Sequence, residues 1–385
     1  MSRPLEGVRI IDLGLYVAGP YASVPLAELG AEVIKIEPLG GDPNRTIWRA
    51  FACCNRGKRN ISLDLKSPEG LEIARKICIS ADVVHHNFRP GVMDRIGLGY
   101  DTLKEENPQL VYLEASAYGA DGPMSKHPGF DMIMQALCGH EAHGAGEGNV
   151  PLWMRWAPVD FTGGYLGTIG ILAGLYRKAR EEKGSRVQGN LLDGGIFMLS
   201  ELVRGKDGSF SGTLPLNAEQ TGTGPAYRLY ACQDGWIAVV ARSPDQQQAL
   251  AQFASLKESA GCPASDWSID SQQQLISHFA GMNAKQAISA LRERGIWTER
   301  CRDDFQEALF ENPAWKHSGV VREHDHPRNE RVRQIGNTVR LSDVGPLPEY
   351  SGMVPEPGQF TREILQQFGY AESSIEDFYT RKIVA

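Results

Sequence analysis

The chain has 385 residues, of which 42% are hydrophobic and 23% charged, with a formal net charge of −7. This length predicts two domains with packed cores, and the acidic balance argues against a protein that coats nucleic acid. The N-terminal segment lacks the apolar core of a signal peptide, and no apolar run is long enough to span a membrane. The seven cysteines are scattered without zinc-type spacing, so we expect reduced thiols, no metal site and a cytoplasmic protein.

The N-terminal part of the chain alternates between short apolar runs and helix-like segments. Strands are predicted at residues 7–13, 31–37, 60–65, 82–88 and 109–116, and helices at 18–30, 67–81 and 89–98. The helix over 67–81 carries two start signals, because Ser67 is a favoured N-cap residue and Pro68 suits the first helical position. The alternation predicts an α/β fold with a mostly parallel sheet covered by helices on both faces.

A longer helix is predicted to begin at Asp160 and to run to Lys183. Four glycines recur in it every three or four residues and therefore share one side: Gly163, Gly167, Gly170 and Gly174. Each glycine costs about 1 kcal/mol in a helix interior. We therefore expect another backbone to pack very closely against this side. A strand over 187–193 and a helix over 194–205 follow.

The sequence changes character after residue 205. Residues 206–226 are rich in Gly, Ser, Thr and Pro, which predicts a linker or mobile loop. Residues 227–241 predict a β-hairpin that turns at Asp234-Gly235. Helices are then predicted at 243–256, 268–282 and 283–296, and a strand at 331–342 precedes two further helices at 360–370 and 373–384.

This pattern divides the chain into four parts. We predict a large domain over 1–205, a linker over 206–221, a small α+β domain over 222–325, and a segment over 326–385 that returns to the large domain.

Several familiar motifs are absent or incomplete. The first strand-to-helix turn is not GxGxxG, and no GxxxxGK[ST] occurs, so neither a dinucleotide site nor a P-loop is supported. HEAH (140–143) is one residue short of HExxH and is interpreted as a solvated loop, while GSFSG (208–212) is one position off GxSxG. His85 and His86 point to opposite faces of a predicted strand, which suits neither a metal site nor a triad.

Asp160 is the one carboxylate in the apolar, glycine-rich run WAPVDFTGGYLG (156–167). Two interpretations stand. Asp is a favoured N-cap residue, so Asp160 could simply begin the helix. Alternatively, the free N–H groups and partial positive charge of the helix N-terminus keep this carboxylate ionised, and Gly163 and Gly164 let a substrate approach. A desolvated carboxylate of this kind is a competent nucleophile toward an activated acyl group.

Basic residues cluster near the predicted strand ends of the first domain. Each alone is a solvated surface charge, but together they stand where open α/β sheets bind ligands, which favours a phosphate-bearing ligand. They are Arg56, Lys58, Arg59, Lys66, Arg89 and Arg95.

Longer motifs then carry a family resemblance. The chain resembles the class III coenzyme A-transferases, which include formyl-CoA transferase, carnitine CoA-transferase and the α-methylacyl-CoA racemases. The resemblance is near-continuous to about residue 205 and weaker through the C-terminal tail. It is carried by VAGPYASVPLAELGAEVIKIEPLGGDP, RNISLDLKSPEG, HNFRPGVMDRIGLGYDTLKEENPQLVYLEASAYGADGP, PGFDMIMQALCG and the Asp160 segment.

The resemblance implies a fold and an assembly. A Rossmann-like large domain would be built from both chain ends, with a smaller domain in the middle, and two subunits would form an interlocked homodimer. Neither a metal nor a separate cofactor is implied, because the coenzyme A thioester is itself a substrate and the other substrate is a carboxylic acid.

The resemblance also assigns residues. Asp160 aligns with the catalytic aspartate of the family. The glycine loop that shields the intermediates corresponds to Gly222, Thr223 and Gly224. Coenzyme A contacts would fall on Leu63, Asp64, Leu65, Lys66, Asn87, Phe88, Arg89, Arg95, Phe130 and Asp131.

The implied reaction moves coenzyme A from an acyl-CoA donor to an organic acid. Asp160 attacks the donor thioester to give an aspartyl anhydride, the released thiolate gives an aspartyl-CoA thioester, and the acceptor acid reverses the sequence. Oxyanion donors and exclusion of water would be needed.

Some positions depart from the patterns of family members. The racemases carry His directly before the Asp of the GxD segment as a second acid/base, whereas this chain has Phe130, which cannot move a proton. Val17 and Pro38 stand where formyl-CoA transferase has Gln and a basic residue, which argues against formate or oxalate. Two alternatives to a transferase are an acyl-CoA racemase or epimerase, and a non-catalytic CoA-binding subunit of a heteromeric transferase.

The segment WMRW (153–156) leads into Asp160. Arg155 with its flanking tryptophans either packs structurally or recognises a larger acid or a second carboxylate.

Overall fold

A computed structural model describes residues 2–212, 216–256, 259, 261–336, 338–344 and 352–385. Its strands are β1 (Arg9–Asp12), β2 (Glu32–Glu37), β3 (Arg59–Ser62), β4 (Val83–His86), β5 (Val111–Glu114), β6 (Ser185–Gln188), β7 (Val203–Arg204), β8 (Phe210–Ser211), β9 (Gly222–Gly224), β10 (Tyr227–Cys232), β11 (Gly235–Val240), β12 (Trp297–Arg300), β13 (Val321–His326) and β14 (Glu330–Ile335).

The α-helices follow the same chain order. They are α1 (Ala18–Tyr21), α2 (Val24–Glu28), α3 (Trp48–Asn55), α4 (Pro68–Ile79), α5 (Val92–Arg95), α6 (Tyr100–Glu106), α7 (Asp131–Leu137), α8 (His140–Ala145), α9 (Pro158–Glu181), α10 (Leu191–Phe197), α11 (Pro244–Phe253), α12 (Ile269–Ala280), α13 (Ala284–Glu293), α14 (Phe305–Glu311), α15 (Pro313–His317), α16 (Thr361–Gln367) and α17 (Glu372–Thr380). Among the described residues, no helix is both long and apolar enough to cross a membrane.

The principal sheet has six strands in the order β3-β2-β1-β4-β5-β6, and every pairing in it is parallel. This confirms the predicted α/β class and parallel sheet. The order reverses between β1 and β4, which is the switch point where doubly wound sheets bind ligands beyond the carboxyl ends of their strands.

The two faces of this sheet bury alternate residues of each strand. On β1, Ile10 belongs to the apolar cluster on one face and Ile11 to the cluster on the other. This follows from the two-residue period of a strand, and both faces are apolar because helices cover both. Helices α16 and α17 contribute Ile364, Leu365 and Ile375 to the second of these clusters, so the C-terminal segment packs on the same sheet as the N-terminal strands.

Three local predictions in the first part of the chain need correction. The helix predicted over 194–205 ends at Phe197, and strand β7 follows at Val203–Arg204. The helix predicted over 18–30 is divided into α1 and α2 at Ala22-Ser23. The strand predicted over 187–193 ends at Gln188, because Asn190 and Asp193 form a capping box that begins α10. By contrast, α4 begins as predicted, with Ser67 as N-cap accepting the N–H of Gly70 and Pro68 at the first position.

The glycine side of α9 packs closely against the sheet and against α10. A Cβ built on Gly170 would lie 2.6 Å from Cγ1 of Val187, and one on Gly174 would lie 2.6 Å from Cγ1 of Val111. A Cβ on Gly194 of α10 would lie 2.7 Å from the backbone nitrogen of Gly163. The predicted close approach is therefore present: strand side chains provide it at Gly170 and Gly174, and a second backbone approaches near Gly163 and Gly167.

The chain forms two compact units. The first comprises 1–138, 154–200 and 309–385, and the second comprises 139–153 and 201–308. These ranges differ from the predicted domains in that 139–153 and 201–221 join the second unit and 309–325 joins the first.

The second unit contains an antiparallel sheet in the order β12-β11-β10-β9. Strands β10 and β11 form the predicted hairpin, but Cys232 pairs with Gly235, so the two loop residues are Gln233 and Asp234. Helices α11, α12 and α13 occur as predicted. The predicted linker contains the short strand β8, and its residues 213–215 lie outside the described part of the chain.

Two further predictions are corrected outside these sheets. HEAH (140–143) begins helix α8 and is not a loop. The strand predicted over 331–342 is present as β14, but it pairs with β13 in a separate two-stranded hairpin.

Candidate active site

Asp160 is the third residue of α9. The helix begins at Pro158, whose fixed φ suits the first position, and the preceding Ala157 has the left-handed conformation φ 57°, ψ 53°. A left-handed residue other than glycine is held against its own preference, and such residues concentrate at functional sites. The carboxylate of Asp160 lies in the first turn of a 24-residue helix, on an element that cannot easily move.

The cap of α9 comes from another helix. Oδ2 of Asp131, the first residue of α7, accepts the N–H of Val159 at 2.9 Å and the N–H of Asp160 at 3.1 Å. The prediction that Asp160 itself begins and caps the helix is therefore wrong. No hydrogen bond to the carboxylate of Asp160 is found among the described residues, so its oxygens remain available to a ligand.

Gln135 fixes the capping carboxylate in turn. Its Nε2 donates to Oδ1 of Asp131 and to the carbonyl of Met154, at 3.0 Å in the second case, and its Oε1 accepts the N–H of Met154 at 3.1 Å. A side chain amide thus ties the start of α7 to the segment that enters α9. We predicted Asp131 as a coenzyme A contact; its capping role could not be read from two aspartates 29 residues apart.

The pKa of the Asp160 carboxyl is higher than we expect from the sequence. Burial and, to a smaller extent, the nearby carboxylate of Asp131 together raise the pKa of Asp160 to about 7. We expected the helix N-terminus to keep this carboxylate ionised. Burial is the main reason for the difference, and Asp131 adds to it because it accepts the helix N–H groups and brings a like charge close to Asp160. Cys53 and Cys54 of α3 also lie within electrostatic range of Asp160.

A cavity of about 220 Å³ opens beside Asp160 at the carboxyl ends of β1, β4 and β5. It is lined by Leu15, Tyr16, Val17, Ala18, Asn87, Phe88, Arg89, Ala115, Ala117, His127, Pro128, Gly129, Phe130, Asp160 and Leu191. Four residues predicted as coenzyme A contacts are therefore placed around the predicted nucleophile: Asn87, Phe88, Arg89 and Phe130.

A second cavity, of about 470 Å³, lies at the carboxyl ends of β1, β2 and β3. It is lined by Leu13, Leu15, Ile36, Glu37, Pro38, Leu39, Leu63, Asp64, Leu65, Lys66 and Phe88. It contains all four predicted contacts of the segment Leu63–Lys66. Leu15 and Phe88 line both cavities, so the two spaces are adjacent at these residues. The predicted contact Arg95 is exposed on α5 and lines neither cavity.

The loop between β1 and α1 separates the two cavities and is held by side chains. Oδ1 of Asn87 accepts the N–H of Leu15 and its Nδ2 donates to the Leu15 carbonyl, both at 2.8 Å. Beneath the loop, Oδ1 of Asp12 accepts the N–H of Gly14 at 2.7 Å. Asn87 is predicted as a coenzyme A contact, but both its amide oxygen and its amide nitrogen bind the backbone of Leu15 in this loop.

Three of the six basic residues proposed to attract phosphate are instead buried ion-pair partners. Arg56 binds Glu28 at 2.9 Å, Lys58 binds Asp12 at 2.7 Å, and Arg59 binds Glu363 of α16 at 2.6 Å and also Glu32. Burying an ion requires such a partner. Only Lys66 and Arg89 of the six line the cavities, so the interpretation of a single phosphate-binding cluster is wrong.

The predicted glycine loop belongs to the second compact unit. Gly222, Thr223 and Gly224 form β9, which pairs with the start of β10. Thr223 lines a cavity of about 520 Å³ within that unit.

Other polar groups do not form a metal centre. His85 contacts Asp12 at 3.4 Å, and His86 packs against Phe88 and Tyr112. Over the described ranges, no three His, Cys, Asp or Glu side chains are grouped so that they could hold a metal ion. Arg155 and Trp156 are exposed.

A doubly wound sheet with two adjacent cavities at its switch point, one of them lined by a carboxylate that has no hydrogen-bond partner among the described residues, defines an α/β protein with space for a ligand beside an acid. The chain matches CoA-transferase family III over residues 5–361 and belongs to that family.

Curated relatives cover nearly the whole chain. Human succinyl-CoA:glutarate CoA-transferase is 29% identical over 99% of this chain and 90% of its own length. Mouse alpha-methylacyl-CoA racemase is also 29% identical, over 99% of this chain and 97% of its own. The fold resembles that of a CAIB/BAIF family protein from Brucella suis, with a TM-score of 0.77 and 24% identity over 96% of this chain and 100% of that one.

Proposed function

We propose that this protein is a CoA-transferase that moves coenzyme A from an acyl-CoA donor to an organic carboxylic acid through intermediates bound to Asp160. One observation carries the proposal. The backbone N–H of Asp160 is bound by Asp131, while the carboxylate oxygens of Asp160 have no hydrogen-bond partner among the described residues. The carboxylate lines a cavity together with residues that align with coenzyme A contacts of the family.

The proposed reaction has four steps. An oxygen of ionised Asp160 attacks the thioester carbon of the donor, the C–S bond breaks, and CoA thiolate leaves a mixed anhydride. The thiolate attacks the aspartyl carbonyl and releases the donor acid, which leaves an aspartyl-CoA thioester. The acceptor carboxylate attacks that thioester and again expels thiolate, which then attacks the acceptor acyl carbon and restores Asp160.

The two cavities suit the two ends of coenzyme A. The larger one, with Lys66 at its edge, is proposed to hold the adenosine end, while the smaller one holds the thioester beside Asp160. The chain of coenzyme A would cross between them past Phe88 and Leu15. Lys66 and Arg89 would meet the phosphates, which require cationic partners.

The raised pKa of Asp160 is compatible with this role. A carboxyl with a pKa of about 7 is substantially ionised at neutral pH and is more basic than an ordinary aspartate. A more basic carboxylate is the better nucleophile toward an acyl carbon, and burial protects the anhydride from water.

The first test removes the nucleophile. Asp160→Ala is expected to lower CoA transfer by at least about 10⁴-fold while the protein remains folded, because no other group can form the anhydride. Asp245→Ala is the matched control, since Asp245 is an exposed acid just after a proline at the start of α11. Transfer by the Asp160→Ala variant within tenfold of the wild-type rate contradicts the mechanism.

A second measurement detects the intermediate itself. Hydroxylamine added together with acyl-CoA should convert Asp160 to a hydroxamate, seen as a mass change on the peptide that contains it. Hydroxylamine without acyl-CoA should leave the peptide unchanged. An unmodified Asp160 peptide after turnover in hydroxylamine argues against a covalent intermediate.

A racemase is the second candidate, and one observation favours it: a carboxyl with a pKa of about 7 also suits proton transfer at an α-carbon. Phe130 argues against it, because the partner acid/base of the racemases is missing at that position. The third candidate, a non-catalytic subunit, is disfavoured because Asp160 is present with its oxygens free.

A further inference from the structure

The mouth of the Asp160 cavity carries an aromatic pair. The rings of Tyr16 and Phe130 meet edge to face, with centroids 5.6 Å apart and planes at 80°. Both side chains line the cavity, yet they are 43% and 56% exposed, so large apolar surfaces face the space in front of Asp160. Because both residues line the cavity beside Asp160, a ligand in that cavity would contact the pair.

Tyr16 is held in place at a conformational cost. Its φ is +66°, in the left-handed region that residues other than glycine avoid. Nδ2 of Asn44 donates to the Tyr16 carbonyl at 3.0 Å, and Asn87 holds the neighbouring Leu15 through both ends of its amide. The surrounding side chains thus impose a conformation that turns this ring toward Phe130. A strained backbone conformation at Tyr16, close to the carboxylate of Asp160, supports a functional role for the Tyr16 ring.

The rest of the lining is mostly apolar. Val17, Ala115, Ala117, Pro128 and Leu191 offer no polar side chain. Asn87 does offer one, but its amide is already paired with Leu15.

Charged groups on this lining are few. Within the described residues of the first unit, the lining carries one permanent cation, Arg89, which the proposed function assigns to a coenzyme A phosphate. The imidazole of His127 packs edge-on against Tyr118, with ring centroids 6.4 Å apart. An acyl group with a second carboxylate would therefore bring a like charge toward Asp160 without a matching cation on this wall.

We propose that Tyr16 and Phe130 form an aromatic wall that selects acids with an uncharged, apolar body, so that the enzyme transfers coenzyme A between branched or aromatic monocarboxylic acids and not between dicarboxylic acids. This inference rests on the proposed function and names its substrate class. Tyr16 and Phe130 act as specificity-determining residues, because their rings form the apolar wall that the acyl group contacts.

Isotope exchange tests the selection without knowledge of the natural donor. The enzyme is incubated with an unlabelled thioester and the ¹³C-labelled form of its own acid, and label entering the thioester is measured by mass spectrometry. Isovaleryl-CoA and glutaryl-CoA form the matched pair, since both acyl groups have five carbons and differ by a carboxylate.

The wild-type enzyme is expected to exchange isovalerate at least about tenfold faster than glutarate, measured as kcat/KM. Equal or faster exchange of glutarate overturns the inference while leaving the transferase proposal intact. The absence of exchange with isovaleryl-CoA, phenylacetyl-CoA, glutaryl-CoA and succinyl-CoA overturns the transferase proposal and this inference with it.

Variants then assign the selection to the wall. Phe130→Arg should lower the ratio of isovalerate to glutarate exchange by at least about tenfold, because it places a cation beside the acyl group. Phe130→Leu should lower isovalerate exchange less and should not favour glutarate. Trp297→Arg makes the same charge change at a comparably exposed aromatic residue of β12 and should leave the ratio unchanged. If Phe130→Arg and Phe130→Leu both keep the wild-type ratio of isovalerate to glutarate exchange, Phe130 does not determine substrate specificity.

Discussion

At the scale of single residues, two aspartates of the site have different roles: Asp131 caps α9, and Asp160 is the proposed nucleophile. Asp131 accepts the N–H groups of Val159 and Asp160 in α9, and the carboxylate of Asp160 has no hydrogen-bond partner among the residues that the structure describes. The sequence pointed to Asp160 because one acid in an apolar run needs an explanation. It could not reveal the capping role of Asp131, since the contact joins two helices through tertiary structure.

Substitution of Asp131 by asparagine removes its charge and keeps its two hydrogen bonds to the start of α9, while the hydrogen bond from Nε2 of Gln135 is lost because the asparagine Nδ2 cannot accept it. The amide oxygen of Asp131→Asn can still accept the two N–H groups, but the like charge beside Asp160 is removed. The pKa of Asp160 should fall from about 7, since neutralising a neighbouring carboxylate favours ionisation. The acidic limb of the pH profile of kcat/KM should therefore move to lower pH.

The same profile recorded for Asp245→Asn provides the control, because Asp245 lies at the start of a different helix and is exposed. An acidic limb at the wild-type position in Asp131→Asn, in a folded protein, contradicts the electrostatic coupling of the two aspartates.

Phe130 separates the two candidate activities. Phe130→His would supply an acid/base beside Asp160, so solvent deuterium should enter the α-carbon of a 2-methylacyl-CoA at a rate at least about 100-fold above that of the wild type. Phe130→Leu should exchange no faster than the wild type. Rapid α-deuteration by the wild-type enzyme without any thioester exchange would favour the racemase instead.

At the scale of elements, α9 shows how a sequence pattern can predict a contact but not its partner. Its glycine spacing predicted close packing, and the structure places Gly170 and Gly174 against Val187 and Val111 of the sheet. The strands and the helix α4 were predictable because their apolar periods and caps are local. The end of β6 at Gln188 was missed because a capping box competes with an apolar alternation there.

Gly174→Ala should lower the free energy of unfolding by about 1 kcal/mol. Alanine gains about 1 kcal/mol of helix propensity over glycine, but its Cβ would lie 2.6 Å from a methyl group of Val111, and overpacking of a core costs about 1–3 kcal/mol. Chemical denaturation measures the difference. Gly144→Ala in α8 is the control, since a Cβ there meets nothing within 4 Å and should not destabilise the protein.

At the scale of the whole molecule, predictions drawn from charge alone were the least successful. Arg56, Lys58 and Arg59 looked like surface cations near strand ends, yet each is buried against an acid that is distant in sequence. The parallel sheet, by contrast, follows from the order of apolar runs. The positions of Leu63–Lys66, Asn87 and Arg89 around two adjacent cavities depend on strand order, which residue patterns alone leave open.

Exposed apolar side chains on one compact unit bear on assembly. Ile133 of α7, Ile169 and Tyr176 of α9 and Phe197 of α10 are each at least half exposed in the single chain. We propose that a second copy covers them, in keeping with the homodimer implied by the family resemblance.

Analytical ultracentrifugation should find the wild-type protein at twice the mass of one chain. Ile169→Glu should increase the monomer fraction, because burying an unpaired charge at an interface is unfavourable. Ile269→Glu, at an isoleucine of the second unit that is 84% exposed, should remain dimeric. A wild-type protein that sediments as a monomer at micromolar concentration contradicts the proposal.

The position of Asp160 on a long, firmly packed helix has a kinetic consequence. Because the Asp160 carboxylate keeps one position, the donor acid and the acceptor acid must bind beside it at the same place, one after the other. The two acids are then mutually exclusive occupants, and each should act as a competitive inhibitor of the other. Double-reciprocal plots of rate against donor at several acceptor concentrations should accordingly give parallel lines, the pattern of a substituted enzyme.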